Sequence, residues 1–356
     1  MIWLLAFIAF WVIAFFVVDY LLSAPAYNGP KSDHFNGKKF GYPSSHDSRT
    51  FVDIIKWSVS GSKGEWRQIS ENCAPGFEPV SVSNNNVVVT FVNHSTFLIQ
   101  ISGFNILTDP IWSKRASPYS WIGPSRMRPP GIRFEALPEI DLVLLSHNHY
   151  DHLDLPTVKR LNKKFSPVFI TPLGVGRFLN NNAIERTNDL DWWDEYKFNN
   201  QLKITATPTK HFSGRGVLDR DKTLFCGFML QVNGQTLYFA GDTAYDDFFS
   251  KIGNRFSHID LSFIPIGAYK PRWFMKDIHC CPEEAVQIHR DVNSTQSIGM
   301  HFGTFPLADE GMDEPERDLA KALKKNNIPM DEFITLPEGK TTFFERQEAV
   351  KKAVEG

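Results

Sequence analysis

The chain has 356 residues, 42% of them hydrophobic, and a formal net charge of -2 at pH 7. Such a chain can bury a large core, and the absence of any dense basic stripe excludes nucleic acid as an expected partner. Its four cysteines, Cys73, Cys226 and the adjacent Cys280 and Cys281, are too few for a secreted disulfide framework, and vicinal cysteines are badly placed to bridge one another. Thirty phenylalanines fit either a thick sheet core or a lipid-lined cavity.

The first element is an apolar run from Ile2 to Val18, continued by Leu21 and Leu22, which approaches the ~20 residues of a membrane-spanning helix. Ala24-Pro25-Ala26 offers a small-x-small pattern for signal cleavage. No basic residue precedes the run, however, and Pro25 would sit inside the cut, so an uncleaved transmembrane anchor over 1–24 is expected. Lys31, Lys38, Lys39 and Arg49 follow the run, and the positive-inside tendency then places the rest of the chain in the cytoplasm. The expected localisation is a membrane crossed once, with the bilayer as a partner. Residues 25–86, rich in Gly, Ser, Asn and Pro, read as an extension with a short helix at Phe51 to Trp57 packing on the main domain.

A main domain is expected over 87–346, leaving 347–356 as a tail. Strand-like runs follow one another at Val87 to Val92, Thr96 to Ile101, Phe104 to Thr108 and Leu142 to Ser146. Helical patterns at Leu155 to Asn162, Asp246 to Ile252, Pro282 to His289 and Pro315 to Lys325 alternate with further strands. The long connection from Asp109 to Pro138 sets Lys114, Arg115, Arg126, Arg128 and Arg133 among Trp112, Tyr119 and Trp121. It suits a surface that meets anionic head groups near a site's mouth, or a loop pinned by its own aromatics.

The strand ending at Leu145 runs into Ser146-His147-Asn148-His149-Tyr150-Asp151-His152, three imidazoles and a carboxylate in six residues. Imidazole nitrogen and carboxylate oxygen are zinc ligands of the right softness, and a turn leaving a buried strand can aim neighbouring side chains at one point. His147 and His149 alternate and can share one metal, while Asp151 and His152 turn towards a second. Two metals need more ligands, and His211, Asp242 and His301 each follow a short strand-like run. Taken singly each is more often a satisfied loop residue; with the cluster they read as ligands held by a sheet. Asp109, just past Thr108, is a candidate acceptor for the outward ring proton of a ligand histidine, or a turn former before Pro110. His34, His46, His258 and His289 have no such setting and read as surface or packing residues.

These residues carry a resemblance. H-x-H-x-D-H, a later lone His, Gly241-Asp242-Thr243 and a final His resemble the metallo-β-lactamase superfamily. The stretches Leu107 to Trp112, Ser113 to Pro118, Ser146 to Asp154, Leu190 to Trp193, Phe239 to Tyr245, Ile264 to Lys276 and His301 to Phe305 are similar to the N-acylphosphatidylethanolamine-hydrolysing phospholipase D family. The resemblance runs from about Val87 to Phe344. It implies an α/β fold, a four-layer αββα sandwich, to which the sequence adds the N-terminal transmembrane helix. It also implies two Zn ions: His147, His149 and His211 on the first, Asp151, His152 and His301 on the second, and Asp242 bridging them. Asp151 would orient the attacking hydroxide. His279, in a stretch close to the family's, would steady the phosphate or protonate the departing alkoxide, or merely cap the helix that Pro282 opens. His94 resembles a motif residue of lactonase-like members, or merely ties down a loop in this chain.

The implied activity is a zinc-dependent phosphodiesterase of phospholipase D type on a membrane glycerophospholipid. The alternatives are a metal-dependent lactonase or phosphoesterase on a soluble sugar phosphate, and a membrane-tethered protein with a structural metal site. A homodimer stays open among the partners.

Overall fold

The computed structural model describes residues 2–42, 50–61, 63–70 and 86–345. His46, Arg49, Cys73 and the tail expected at 347–356 lie outside them.

Two seven-stranded sheets stack face to face. The first begins with β1 (Asn86–Asn93), β2 (Thr96–Ile101) and β3 (Phe104–Thr108), antiparallel neighbours, and continues parallel through β4 (Leu142–Leu144), β5 (Val168–Pro172) and β6 (Thr187–Leu190). The second runs antiparallel through β7 (Glu195–Lys197), β8 (Leu202–Thr207), β9 (Gly227–Val232) and β10 (Gln235–Phe239), then parallel through β11 (Ile259–Pro265), β12 (Ser294–Met300) and β13 (Phe333–Ile334). A last strand, β14 (Thr341–Glu345), returns to pair antiparallel with β1.

Strand residues alternate between two environments because successive side chains leave a strand on opposite faces. Phe97, Ile99, Leu142, Leu144 and Ile170 point between the sheets, where they meet Phe228, Leu237, Phe263 and Ile298. Leu98, Leu107, Val143, Leu145 and Phe169 point outward, onto helices α3 (Leu155–Phe165) and α4 (Val175–Asn180). The second sheet's outer face takes α5 (Phe248–Phe256), α7 (Pro282–Asp291) and α8 (Glu314–Lys325). Among the remaining helices, α6 (Arg272–Met275) is a single turn near the rim. Phenylalanine therefore serves the inter-sheet core first; Phe97 and Phe263 touch across it with ring centroids 4.7 Å apart.

One helix start and the long connection differ from expectation for local reasons. The helix expected at Asp246 starts at Phe248, because Asp246 is engaged by Lys210 Nζ at 2.9 Å and Asp247 occupies the N-cap. In the long connection, Arg126 donates to the Ser113 and Ile111 carbonyls beneath the Phe305 ring, and Arg128 pairs with Asp313 and Glu338. Those two cations hold the loop down.

The expected membrane anchor is corrected. The apolar N-terminus does form a helix, α1 (Ile2–Leu22), but no helix among the described residues is long and apolar enough to cross a membrane. Its C-terminal turn is committed to the domain: buried Asp19 accepts from the backbone N–H groups of Val217 and Leu218, and Ala24 N donates to Asp219 at 2.8 Å. The apolar stretch ahead of Asp19 gives about 25 Å of helix at 1.5 Å per residue, short of the ~30 Å hydrocarbon layer. The single-pass localisation built on that anchor, with its cytoplasmic orientation, falls with it.

The segment after α1 is fastened through His34. Its ring is 7% exposed, stacks on Trp192, and places Nδ1 and Nε2 each 2.6 Å from a carboxylate, of Asp33 and Asp191. Only an imidazolium donates from both nitrogens. Burial opposes the charge, yet the two carboxylates outweigh it and raise the pKa. A raised folded-state value means the contribution is complete below the unfolded pKa of ~6.5 and is lost as pH climbs through the folded one. We expect His34→Gln to cost ~1 kcal/mol more in the acidic range than at alkaline pH, Asp33 being solvent-exposed and the neutral ring keeping one hydrogen bond and its stack on Trp192. Thermal melts of both proteins across pH test this; a gap that widens with pH would contradict it.

Candidate metal centre

The parallel strands put their C-terminal ends at one rim, and the chemistry gathers there. The loop leaving β4 delivers His147, His149, Asp151 and His152; His211 follows β8, Asp242 follows β10, and His301 follows β12. His94 comes from the β1–β2 turn, Asp109 from the end of β3, and His279 from the approach to α7. All ten residues singled out from the sequence lie in this one region. Gly241 sets up Asp242: at φ +63° it adopts a left-handed turn, and a Cβ there would stand 2.8 Å from the Cys226 carbonyl. His94, Asp109 and His301 also adopt positive φ, 47°, 32° and 62°, a cost tolerated where side-chain placement matters more than backbone comfort.

Asp242 Oδ2 is the hub. It lies 3.1 Å from His152 Nε2 and His301 Nε2, 3.7 Å from His211 Nε2, and 4.0 Å from both His147 Nε2 and His279 Nδ1. On one side His147 Nε2 and His149 Nδ1 converge to 2.8 Å, with His211 Nε2 3.3 Å from the latter. On the other, Asp151 Oδ2 stands 3.3 Å from His152 Nε2 and His301 Nε2 and 3.0 Å from His94 Nε2. His94, expected at the margin, is as close to this second group as its other members.

The outward ring nitrogens of His147, His152 and His211 are tied. Asp109, fully buried, reaches His152 Nδ1 at 2.7 Å and accepts from the Ser146 N–H and hydroxyl at 2.7 and 2.6 Å. His147 Nδ1 is 2.9 Å from Ser146 Oγ, and His211 Nδ1 donates to the Ile278 carbonyl at 2.8 Å. Orienting contacts of this kind fix ring angle and tautomer.

Electrostatics divide the cluster. Burial, reinforced by neighbouring imidazoles, holds His147 well below its ordinary pKa and pushes His149 and His211 down to about 3, so all three stay neutral. Burial likewise keeps His279 neutral and brings His94 to about 3. At His152 and His301 burial is overcome by Asp242 and its fellow carboxylates, which lift His152 well above its ordinary value and His301 to about 9. Asp151 and Asp242 are driven well below theirs despite burial, chiefly by the imidazoles they face.

The residues fit a pair of divalent cations. Buried His152 Nε2, His301 Nε2, His279 Nδ1 and Asp242 Oδ1 have no hydrogen-bond partner, although buried polar atoms are nearly always satisfied. The donor atoms of His147, His149 and His211 lie within 4.8 Å of one another, as do those of His94, Asp151, His152 and His301, and those of His211, Asp242 and His279. Nitrogen and carboxylate oxygen donors in this number suit a borderline-soft divalent metal.

Above the cluster opens a cavity of about 390 Å³. Its apolar walls are Ile54 and Trp57 of α2 (Phe51–Ser60), with Phe212, Ala268, Phe274, Met275, Ile278 and Leu307. Trp57 stacks on Phe274 at 4.9 Å and donates to Asp309 at 3.0 Å, which seats α2 over the site. These wall residues and Arg220 escaped the sequence reading. Phe212 was discoverable as the neighbour of His211, whereas α2 showed only an apolar stretch with nothing to say what it covers.

Open donor positions beside a ligand-sized cavity, on this stacked-sheet scaffold, define a metal-dependent hydrolase. Residues 104–302 match the beta-lactamase superfamily domain. The chain is 36% identical over 269 residues to N-acyl-phosphatidylethanolamine-hydrolyzing phospholipase D 1 of Caenorhabditis elegans, covering 72% of this chain and 76% of that one. It is 36% identical over 252 residues to the mitochondrial N-acyl-phosphatidylethanolamine-hydrolyzing phospholipase D of Saccharomyces cerevisiae, covering 68% of this chain and 54% of the other. A metallo hydrolase from Ignicoccus hospitalis superposes with a TM-score of 0.56 at 21% identity, over 74% of this chain and 100% of that one. The chain belongs to the metallo-β-lactamase superfamily.

Proposed function

We propose that the chain hydrolyses a glycerophospholipid phosphodiester with phospholipase D regiochemistry, releasing an N-acylethanolamine-type alcohol and phosphatidate. The observation that carries this reading is the apolar cavity opening directly onto the histidine and aspartate cluster. A lipid chain covers walls such as Trp57, Phe274 and Leu307, whereas a sugar phosphate would leave them facing a polar ligand. The similarity to the nematode and yeast enzymes supports the same substrate class. A purely structural metal site is disfavoured, because structural zinc is normally enclosed by its ligands and this cluster opens to a cavity.

Zinc suits the imidazole-rich donor set. His147, His149 and His211 would hold one ion, Asp151, His152 and His301 the other, with Asp242 between them. Such a pair supplies Lewis acidity towards phosphoryl oxygens and lowers the pKa of water. The chain's own groups do the rest. Asp151, steadied by His94, accepts the proton of the attacking water and aims its oxygen at phosphorus. His279, kept neutral by burial, presents its ring to the phosphoryl group and steadies it. Water oxygen joins phosphorus, the bond to the alcohol oxygen breaks, and that oxygen takes up the proton that Asp151 had accepted. The apolar walls exclude competing water while they hold the chains.

Mass spectrometry of products from zinc-loaded full-length protein and micelles of mixed phospholipids tests the reading. N-acylethanolamine and phosphatidate are expected. Release of fatty acid or diacylglycerol instead, or equal kcat/KM on a soluble sugar phosphate, would refute it.

A further inference from the structure

Among the described residues that line the cavity, Arg220 is the one lysine or arginine. Its guanidinium lies 4.2 Å over the Phe212 ring, and that ring is 4.4 Å from the ring of His149 and 4.8 Å from that of His211. The cation is thus one aromatic ring removed from two of the cluster's imidazoles. It is held in place, with Asp221 Oδ2 3.5 Å from its Nε.

The loop that presents it is fixed as well. Asp219 accepts from Arg215 N and Gly216 N at 3.0 and 2.8 Å and from Ala24 N at 2.8 Å. Asp19 caps Val217 and Leu218, and the carbonyls of Asp221 and Lys222 receive Phe40 N and Tyr27 N at 2.8 and 3.0 Å. A cation on so constrained a loop has a defined place over the apolar chamber.

We propose that Arg220 is a specificity-determining residue that admits phospholipids whose head-group amine is acylated and rejects those with a cationic amine. The proposal rests on the phosphodiesterase reading above. In an ethanolamine phosphodiester the nitrogen stands two carbons beyond the leaving oxygen, on the order of 4 Å away. With phosphate at the cluster, that nitrogen comes up to the wall that Phe212 and Arg220 form. A free ammonium there meets a like charge on a wall otherwise made of apolar side chains, and the mismatch acts against the wrong substrate. Acylation removes the charge and supplies a carbonyl oxygen to which the guanidinium donates. One side chain thus both repels the unacylated head group and binds the acylated one.

The test compares full-length, zinc-loaded wild type with Arg220→Gln and Arg220→Lys on micelles of N-acylphosphatidylethanolamine, phosphatidylethanolamine and phosphatidylcholine with matched acyl chains. The readout is the ratio of kcat/KM for the acylated lipid to each cationic one. Arg220→Gln should lower both ratios about tenfold or more, partly by raising the rates on the cationic lipids. Arg220→Lys, which keeps charge and loses the planar fork, should still reject the cationic lipids while losing about tenfold on the acylated one. Binding of metal-depleted protein to the same micelles should show the same order. Arg220→Gln ratios within twofold of wild type would overturn the proposal, as would wild type treating all three lipids alike, an outcome that spares the phosphodiesterase reading. Wild type that cleaves no phospholipid would fail the reading itself, before any variant is compared.

Discussion

Asp242→Ala should lower kcat/KM by at least about a thousandfold and strip the protein of bound metal. One carboxylate oxygen stands within 4.0 Å of nitrogens on five histidines, so its loss removes a group shared by both halves of the cluster. It also takes away the carboxylate that most raises the pKa of His152 and His301, so both rings shift towards the neutral form. Asp242→Asn separates the two effects, since it keeps the volume and removes the charge. Metal content by elemental analysis, read beside turnover, decides the matter: wild-type metal with wild-type rate in Asp242→Ala would sink the mechanism.

Asp109→Ala should cost about ten- to a hundredfold in metal affinity or activity although Asp109 is assigned no metal. Its carboxylate is fully buried and holds His152 Nδ1, Ser146 N and Ser146 Oγ at once. Removing one partner of a buried charged pair typically costs about 3–5 kcal/mol, so the melting temperature should fall together with the affinity. Asp109→Asn retains the shape and part of the hydrogen bonding and should lie between. Metal titration monitored by calorimetry, with melts on the same samples, is the measurement. An Asp109→Ala protein that binds metal as tightly as wild type would show that Asp109 serves only the turn.

The site was legible where chemistry is written contiguously or at strand ends. The run from His147 to His152 announces itself because one turn supplies four donors, and Asp242 and His301 could be picked out because each follows a recognisable apolar run. The strand-like runs likewise mark β1 to β4, four of the first sheet's seven strands. What stayed hidden depends on tertiary partners. His34 reads as a stray loop residue until Asp191, far along the chain, is brought to its Nε2. Asp19 looks like a lone acid tolerated in an apolar helix, and nothing local predicts that it caps Val217 and Leu218. Hydropathy alone therefore made α1 an anchor. Arg220 was one basic residue among many, since only folding sets it over Phe212.

The ligand-type residues are contributed by both halves of the sandwich: His94 and the run from His147 to His152 by the first sheet, His211, Asp242 and His301 by the second. A cation drawn into that cluster is consequently a clasp across the open rim, joining segments distant in the chain. Binding that favours the closed arrangement stabilises it by RT ln(1 + [M]/Kd), about 4 kcal/mol at a thousandfold excess over Kd. Chelation should then do more than silence the enzyme. It removes the clasp from that rim while the core between the sheets stays in place, and amide exchange along the rim ends of β4, β10 and β12 should quicken first.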